Sequence, residues 1–125
     1  MKINIGRYFQ NGKKRKVNIK IDPYDTWSMD DTLALIIHPM LVQLKATKHG
    51  ASNVADEDVP ENLRTSSAPP TENDWDVDVF YFDRWDWVLD EMIWAFKQKI
   101  DKKSFQPRMI NGFRLFGKYY EALWD

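Results

Sequence analysis

The sequence predicts an α+β fold: a small antiparallel β-hairpin or sheet packed against about three α-helices, with a long acidic, proline-containing loop. Three observations predict it. Near the N-terminus, apolar residues alternate with polar ones at Ile3 and Ile5 and again at Val17, Ile19 and Ile21, the period-two signature of strands. Three later stretches carry apolar residues at helical spacing. Between the first two of these, residues 51–74 lose all periodicity. At 125 residues the chain forms a single domain, divided into a hairpin over 1–22, a helix over 28–49, an acidic loop over 50–75, and helices over 77–103 and 107–124.

The strands are expected over Ile3–Phe9 and Lys16–Ile21. Asn11-Gly12 suggests a two-residue turn, but that turn would pair Ile3 with Lys20 and Ile5 with Asn18, splitting the apolar residues between two faces. An odd-length loop of three or five residues pairs Ile3 with Ile21 and Ile5 with Ile19 and unites them. Lys13, Lys14, Arg15 and Lys16 then sit at the hairpin tip. Four adjacent cations could grip nucleic-acid phosphate. The tip has no interleaved aromatics, however, and lysine-rich tips also keep sheet edges apart; protection of the edge is the preferred reading.

Ser28 is placed as the N-cap of the first helix, with Asp31 three residues on. Its expected core stripe is Met29, Leu33, Ile36, Ile37, Met40, Leu41 and Leu44. Pro39 should kink or break it, and Gly50 is a natural residue just past its end. In the acidic loop, Val54, Val59 and Leu63 are the anchors to the core, and Pro60 could start one short helical turn. The third helix begins at Pro107, which suits a first helical position, and Gly112 and Gly117 within it imply close backbone approach or irregularity.

The second helix carries the strongest hint of function. On its wheel, Trp85, Leu89, Met92, Ile93, Phe96 and Ile100 form one apolar stripe, while Trp87 and Trp94 fall opposite, among Asp90, Glu91 and Gln98. Such a helix is either sandwiched in the fold or offers its second face to a partner. Trp87 and Trp94 with Asp90 and Glu91 are therefore the candidate protein-binding residues, since tryptophan within a polar rim is the composition of a binding hot spot. The alternative places a hard cation on Asp83, Asp86 and Asp90, which share a helical flank and could support metal-dependent phosphate chemistry.

Charge is strongly segregated behind a net charge of −1. Residues 1–50 hold nine basic and four acidic groups, residues 51–92 two basic and twelve acidic, and residues 93–125 seven basic and three acidic. An acidic middle reads as a solvated loop or as a surface aimed at a basic partner. The absence of cysteine excludes disulfides, thiolate metal sites and cysteine nucleophiles. No metalloprotease, hydrolase, P-loop or dinucleotide signature occurs, so an enzyme is not expected and no cofactor is implied. Nothing resembles a signal peptide or a membrane span, and a soluble, cytoplasmic-type protein without a membrane partner is expected.

Several segments resemble a group of small uncharacterised proteins of tailed bacteriophages. They are Asp22-Pro23-Tyr24-Asp25-Thr26-Trp27-Ser28-Met29-Asp30, Gln43-Leu44-Lys45-Ala46-Thr47-Lys48-His49-Gly50, Asp56-Glu57-Asp58-Val59-Pro60, Arg84 through Met92, and Asn111 through Tyr120. The resemblance covers most of residues 17–125. It implies no catalytic or binding residue. Longer members carry extra sequence before Arg15 and between Lys103 and Arg108, which marks those positions as surface loops. The resemblance implies a phage accessory protein in the infected host's cytoplasm. With the aromatic helix, the leading expectation is a non-enzymatic protein that binds another protein, and an antagonist of a host process or defence system fits. A virion or assembly component is the remaining alternative.

Overall fold

The computed structural model describes residues 1–8, 12 and 14–125. It is a small α+β structure with one two-stranded antiparallel sheet and three α-helices. The chain divides into two compact units, Met1–Leu33 and Ala34–Asp125.

In the first unit, β1 (Lys2–Ile5) pairs with β2 (Val17–Lys20), with Ile3 opposite Ile19 and Ile5 opposite Val17. The parity is the expected one, so the aliphatic residues share a face. The register lies two residues from the expected pairing and the strands are shorter. Pairing ends where the Gly6 N–H donates to the Lys16 carbonyl at 2.7 Å, so the connection is longer than three or five residues. The expected turn at Asn11-Gly12 and the cation Lys13 fall on or beside positions outside the described residues. Of the tip cluster, Lys14, Arg15 and Lys16 are exposed. Arg15 donates to the Gly6 carbonyl and lies over the Tyr8 ring, 4.5 Å from its centroid. A 3₁₀ turn over Pro23–Thr26 follows, tightened by the Asp25 carboxylate, which accepts the Asp22 N–H at 2.8 Å.

Helix α1 (Met29–Thr47) starts directly after Ser28 and runs unbroken through Pro39. Leu35 and Pro39 both lie on its exposed side, where the carbonyl that proline leaves without a donor can face water. Its buried residues are Ala34 and Leu41, with Ile37 and Leu44 packed beside them. Met29, Leu33 and Met40, expected inside, are exposed. The inward face is rotated toward the polar flank, so that Lys45 and Lys48 reach helix α2 (Tyr81–Ile100): Lys45 Nζ meets Asp90 at 2.6 Å and Lys48 Nζ meets Asp86 at 2.7 Å.

Helix α2 is the axis of the second unit. It begins later than residue 77 because the Asp78 carboxylate accepts the Phe80 N–H at 2.9 Å and pairs with Arg84 at 2.8 Å, which fixes the entering chain. Trp85, Leu89, Met92 and Phe96 are buried as expected, while Ile93 and Ile100 are half-buried. A second row, Val88, Glu91 and Ala95, is buried as well. Helix α3 (Pro107–Lys118) covers that row, with Pro107 in its first turn. A Cβ on Gly112 would lie 2.4 Å from the Ala95 Cβ and 2.7 Å from the Glu91 carbonyl oxygen. The helix backbones thus meet at a position only glycine can occupy. Helix α3 ends at Lys118, short of residue 124, and a 3₁₀ turn over Tyr120–Ala122 carries the chain on. No helix among the described residues is long and apolar enough to cross a membrane.

Candidate functional site

The acidic stretch between α1 and α2 has no α-helix and is built from 3₁₀ turns at Asp56–Asp58, Glu61–Leu63 and Thr65–Ser67. Pro60 precedes the second of these, as its position suggested. Val54 and Val59 are buried and Leu63 packs against the core. Several of its acids bind inward. The Asp56 carboxylate accepts the Thr65 N–H at 3.0 Å. Arg84, itself buried, donates to the Leu63 carbonyl at 2.6 Å and to Asp78.

Asp58 is the most buried acid of the stretch. It accepts hydrogen bonds from Arg114 at 2.8 Å, the Tyr119 hydroxyl at 2.6 Å and Lys118 at 2.6 Å. The Tyr119 oxygen in turn accepts the Ala55 N–H at 3.0 Å. Burial pushes the Asp58 carboxyl up, but the bonds from Lys118, Tyr119 and Arg114 outweigh it and hold the group below its ordinary range. Burial, followed by the bond to Asp58, raises the Tyr119 phenol. The cluster fastens the loop to the end of α3.

The consequence of that anchor is measurable. Asp58→Asn should lower stability by about 2 kcal/mol, because an amide turns its donor toward Arg114 and Lys118 while those half-exposed cations can swing to water. Asp58 has its folded-state value depressed below about 3.9, the unfolded value. Its contribution is therefore complete above that value and is lost as pH falls through the lower, folded one. Urea midpoints compared at neutral and acid pH should show a smaller acid loss in Asp58→Asn than in the wild type.

The structure redistributes the residues singled out on α2. Trp87 is half-buried against the core. Trp94 is half-buried too, with the Arg108 guanidinium 4.0 Å from its ring centroid. The same Arg108 grips the Glu91 carboxylate at 2.7–3.2 Å, so Glu91 belongs to the packing of α2 on α3. Asp90 and Asp86 each hold a lysine of α1, and Asp83 is exposed. Among the described residues, no group of three or more histidine, aspartate or glutamate side chains is placed to hold a metal ion. The second face of the helix is thus partly covered.

The uncovered apolar surface lies elsewhere. Trp27, Trp75 and Trp124 are 81%, 82% and 75% exposed. Trp75 stands in Asp74-Trp75-Asp76-Val77-Asp78-Val79, an alternation of acid and apolar residues outside any helix or strand, with Val77 and Val79 also exposed. That alternation was visible in the sequence and is the signal that could have found it. An open groove of about 680 Å³ runs between α1 and the C-terminal segment. Ile37, Met40, Leu41 and Leu44 form one wall; Phe116, Tyr120 and Leu123 form the other. Apart from the Tyr120 phenol, no titratable side chain among the described residues lines it. A second depression of about 550 Å³ lies between Pro69, Pro70 and Arg84, and there Arg84 and the Tyr81 hydroxyl are already engaged, the latter with the Ala51 carbonyl at 3.3 Å. No protein-family model, curated protein or solved structure matches the chain.

Proposed function

We propose that this protein is a non-enzymatic binding protein that receives an amphipathic helix of a protein partner in the groove between α1 and the C-terminal segment. The observation that carries the reading is the make-up of that groove. One wall is a helical row of α1, Ile37, Met40, Leu41 and Leu44 at spacings of three and four; the other is Phe116 at the end of α3 with Tyr120 and Leu123 of the segment that follows it. An apolar trough of this kind complements the apolar stripe of an amphipathic helix. The Tyr120 phenol is the one titratable group among the described residues that line it. Binding is the chemistry it supports.

The resemblance to small phage proteins supports an infected bacterial cell as the setting, with a host or phage protein as partner and antagonism of a host process as the outcome. The binding surface moves from Trp87 and Trp94 to the groove, because Arg108 and the core cover those two residues.

Met40 and Tyr120, 66% and 63% exposed, are the residues to change, since neither is needed for the core. A photo-crosslinker placed at residue 40 should capture a partner whose crosslinked segment carries an apolar helical stripe. Met40→Asp with Tyr120→Asp should weaken that capture at least about tenfold while leaving the circular dichroism spectrum unchanged. Undiminished capture by the double variant, or a crosslinked segment without such a stripe, overturns the reading.

A further inference from the structure

The hairpin of the first unit has two chemically different faces. The register puts Lys2 opposite Lys20 and Asn4 opposite Asn18 on one of them, and Ile3, Ile5, Val17 and Ile19 on the other. The polar face continues past the strand ends. A Cβ on Gly6 would lie 3.7 Å from the Lys16 Cβ, so Lys16 falls in line with Asn18 and Lys20. Every side chain along this face ends in an ammonium or a carboxamide group, and Lys2, Asn4, Lys16, Asn18 and Lys20 are all exposed.

The charge on this face has no counterpart nearby. Residues 1–21 contain seven lysines and arginines and no acid. The next acids along the chain, Asp22 and Asp25, are taken by the Met1 ammonium at 2.8 and 3.1 Å. None of Lys2, Lys14, Lys16 and Lys20 is ion-paired among the described residues. Lys2 directly opposite Lys20 is a like-charge pair that costs stability in an isolated sheet, and an anion laid across the face relieves it. At the tip, where the sequence shows cations without interleaved aromatics, the 79% exposed Tyr8 ring stands beside Arg15. We infer that this polar face binds duplex DNA, the two-stranded ribbon entering the major groove.

Shape and chemistry select this ligand. Two strands about 4.8 Å apart fit a groove about 12 Å wide that admits such a ribbon. The Asn4–Asn18 pair lies at the middle of the face, between the Lys2–Lys20 pair and Lys16. Asparagine pairs with an adenine edge on the groove floor, and lysine reaches guanine or the phosphates of the walls. Duplex RNA closes its major groove to side chains. Single strands are held on successive rings, and here one ring stands at the tip and none along the face. An anionic membrane takes cationic and apolar groups on one side, whereas the register puts them on opposite sides. The inference does not depend on the groove between α1 and the C-terminal segment.

Fluorescence anisotropy with a labelled mixed-sequence DNA duplex tests it. At about 50 mM salt the dissociation constant should be about 10 μM or tighter, and it should rise with salt on a log–log slope of about 3, as three neutralised phosphates require. Lys2→Gln with Lys20→Gln should weaken binding at least about tenfold and lower that slope by about 2. The net charge of the whole chain is −1, so the attraction has to be local to the ribbon. Lys97→Gln with Lys103→Gln removes the same charge from exposed positions in the other unit and should change affinity by less than about twofold. Asn4→Ala with Asn18→Ala should keep the slope but lose the wild-type preference for a duplex selected from a random pool. Amide spectra should show the hairpin intact in every variant, because all these side chains are exposed. With wild-type protein alone, no duplex binding at that salt overturns the inference. So does equal competition by single-stranded DNA or polyglutamate, or sedimentation with phosphatidylserine vesicles in preference to duplex. Equal weakening by the Lys97 and Lys103 pair overturns it as well.

Discussion

Replacing Trp85 with alanine should cost about 3–5 kcal/mol, the range for truncating a large buried aromatic. Trp85 is almost fully buried at the start of α2, against the core on one side and the Tyr119 ring on the other, with centroids 5.9 Å apart and the rings edge-on. Its loss removes the stacking partner of the tyrosine whose hydroxyl binds Asp58. The damage therefore spreads from a cavity under α2 to the anchor of the acidic loop. Chemical denaturation should show the lowered midpoint. Trp85→Phe, which keeps an aromatic edge for Tyr119, should recover a large part of the loss. A Trp85→Ala protein within about 1 kcal/mol of wild type would contradict this account of the core.

Gly112→Ala should be the next most damaging change, at about 2–3 kcal/mol, although it adds a single methyl group. In an exposed helix the same substitution would help, because alanine is the better helix former by roughly 1 kcal/mol. Here the new Cβ would sit 2.7 Å from the Glu91 carbonyl oxygen and 2.4 Å from the Ala95 Cβ, and neither can retreat without moving α2 itself. The helices must part, and the fork between Arg108 and Glu91 stretches with them. Gly117→Ala is the matched control. Nothing lies within 4 Å of the Cβ it would add, and it should be neutral or stabilising. Thermal unfolding of the two variants side by side separates the contact effect from helix propensity.

Much of this architecture was legible in the sequence. Alternation placed both strands and united their aliphatic residues. The helical periods found α1, α2 and α3, and Val54, Val59 and Leu63 were recognisable as the only apolar residues able to pin the loop. What escaped was tertiary. The inward face of α1 is the one that packs Ala34, Ile37, Leu41 and Leu44 and brings Lys45 and Lys48 to Asp90 and Asp86, cross-helix contacts that no wheel of a single helix contains. Glu91 looked like a surface acid because the wheel cannot know that Arg108 lies above it. Asp58 was one acid among a dozen until Arg114, Lys118 and Tyr119 converged on it. The exposed Trp75 lay in a stretch without periodicity, where aromatic residues are easily passed over in favour of those on an obvious helix.

The sequence separations within the Asp58 cluster predict an order for the events of folding. Helices α2 and α3 are neighbours in the chain, whereas Asp58 reaches Arg114 across 56 positions and Tyr119 across 61. Closing a long loop costs more chain entropy than closing a short one, and contacts of large sequence separation slow folding. The helix pair can therefore assemble first, with the acidic stretch latching on last. Run backwards, the same sequence makes that latch the first to open. Native-state hydrogen exchange should find the amides of Asp58, Val59 and Leu63 opening as a group at lower free energy than those of α2. The chain would then pass through a state in which its helices are still paired and its acidic strap hangs free.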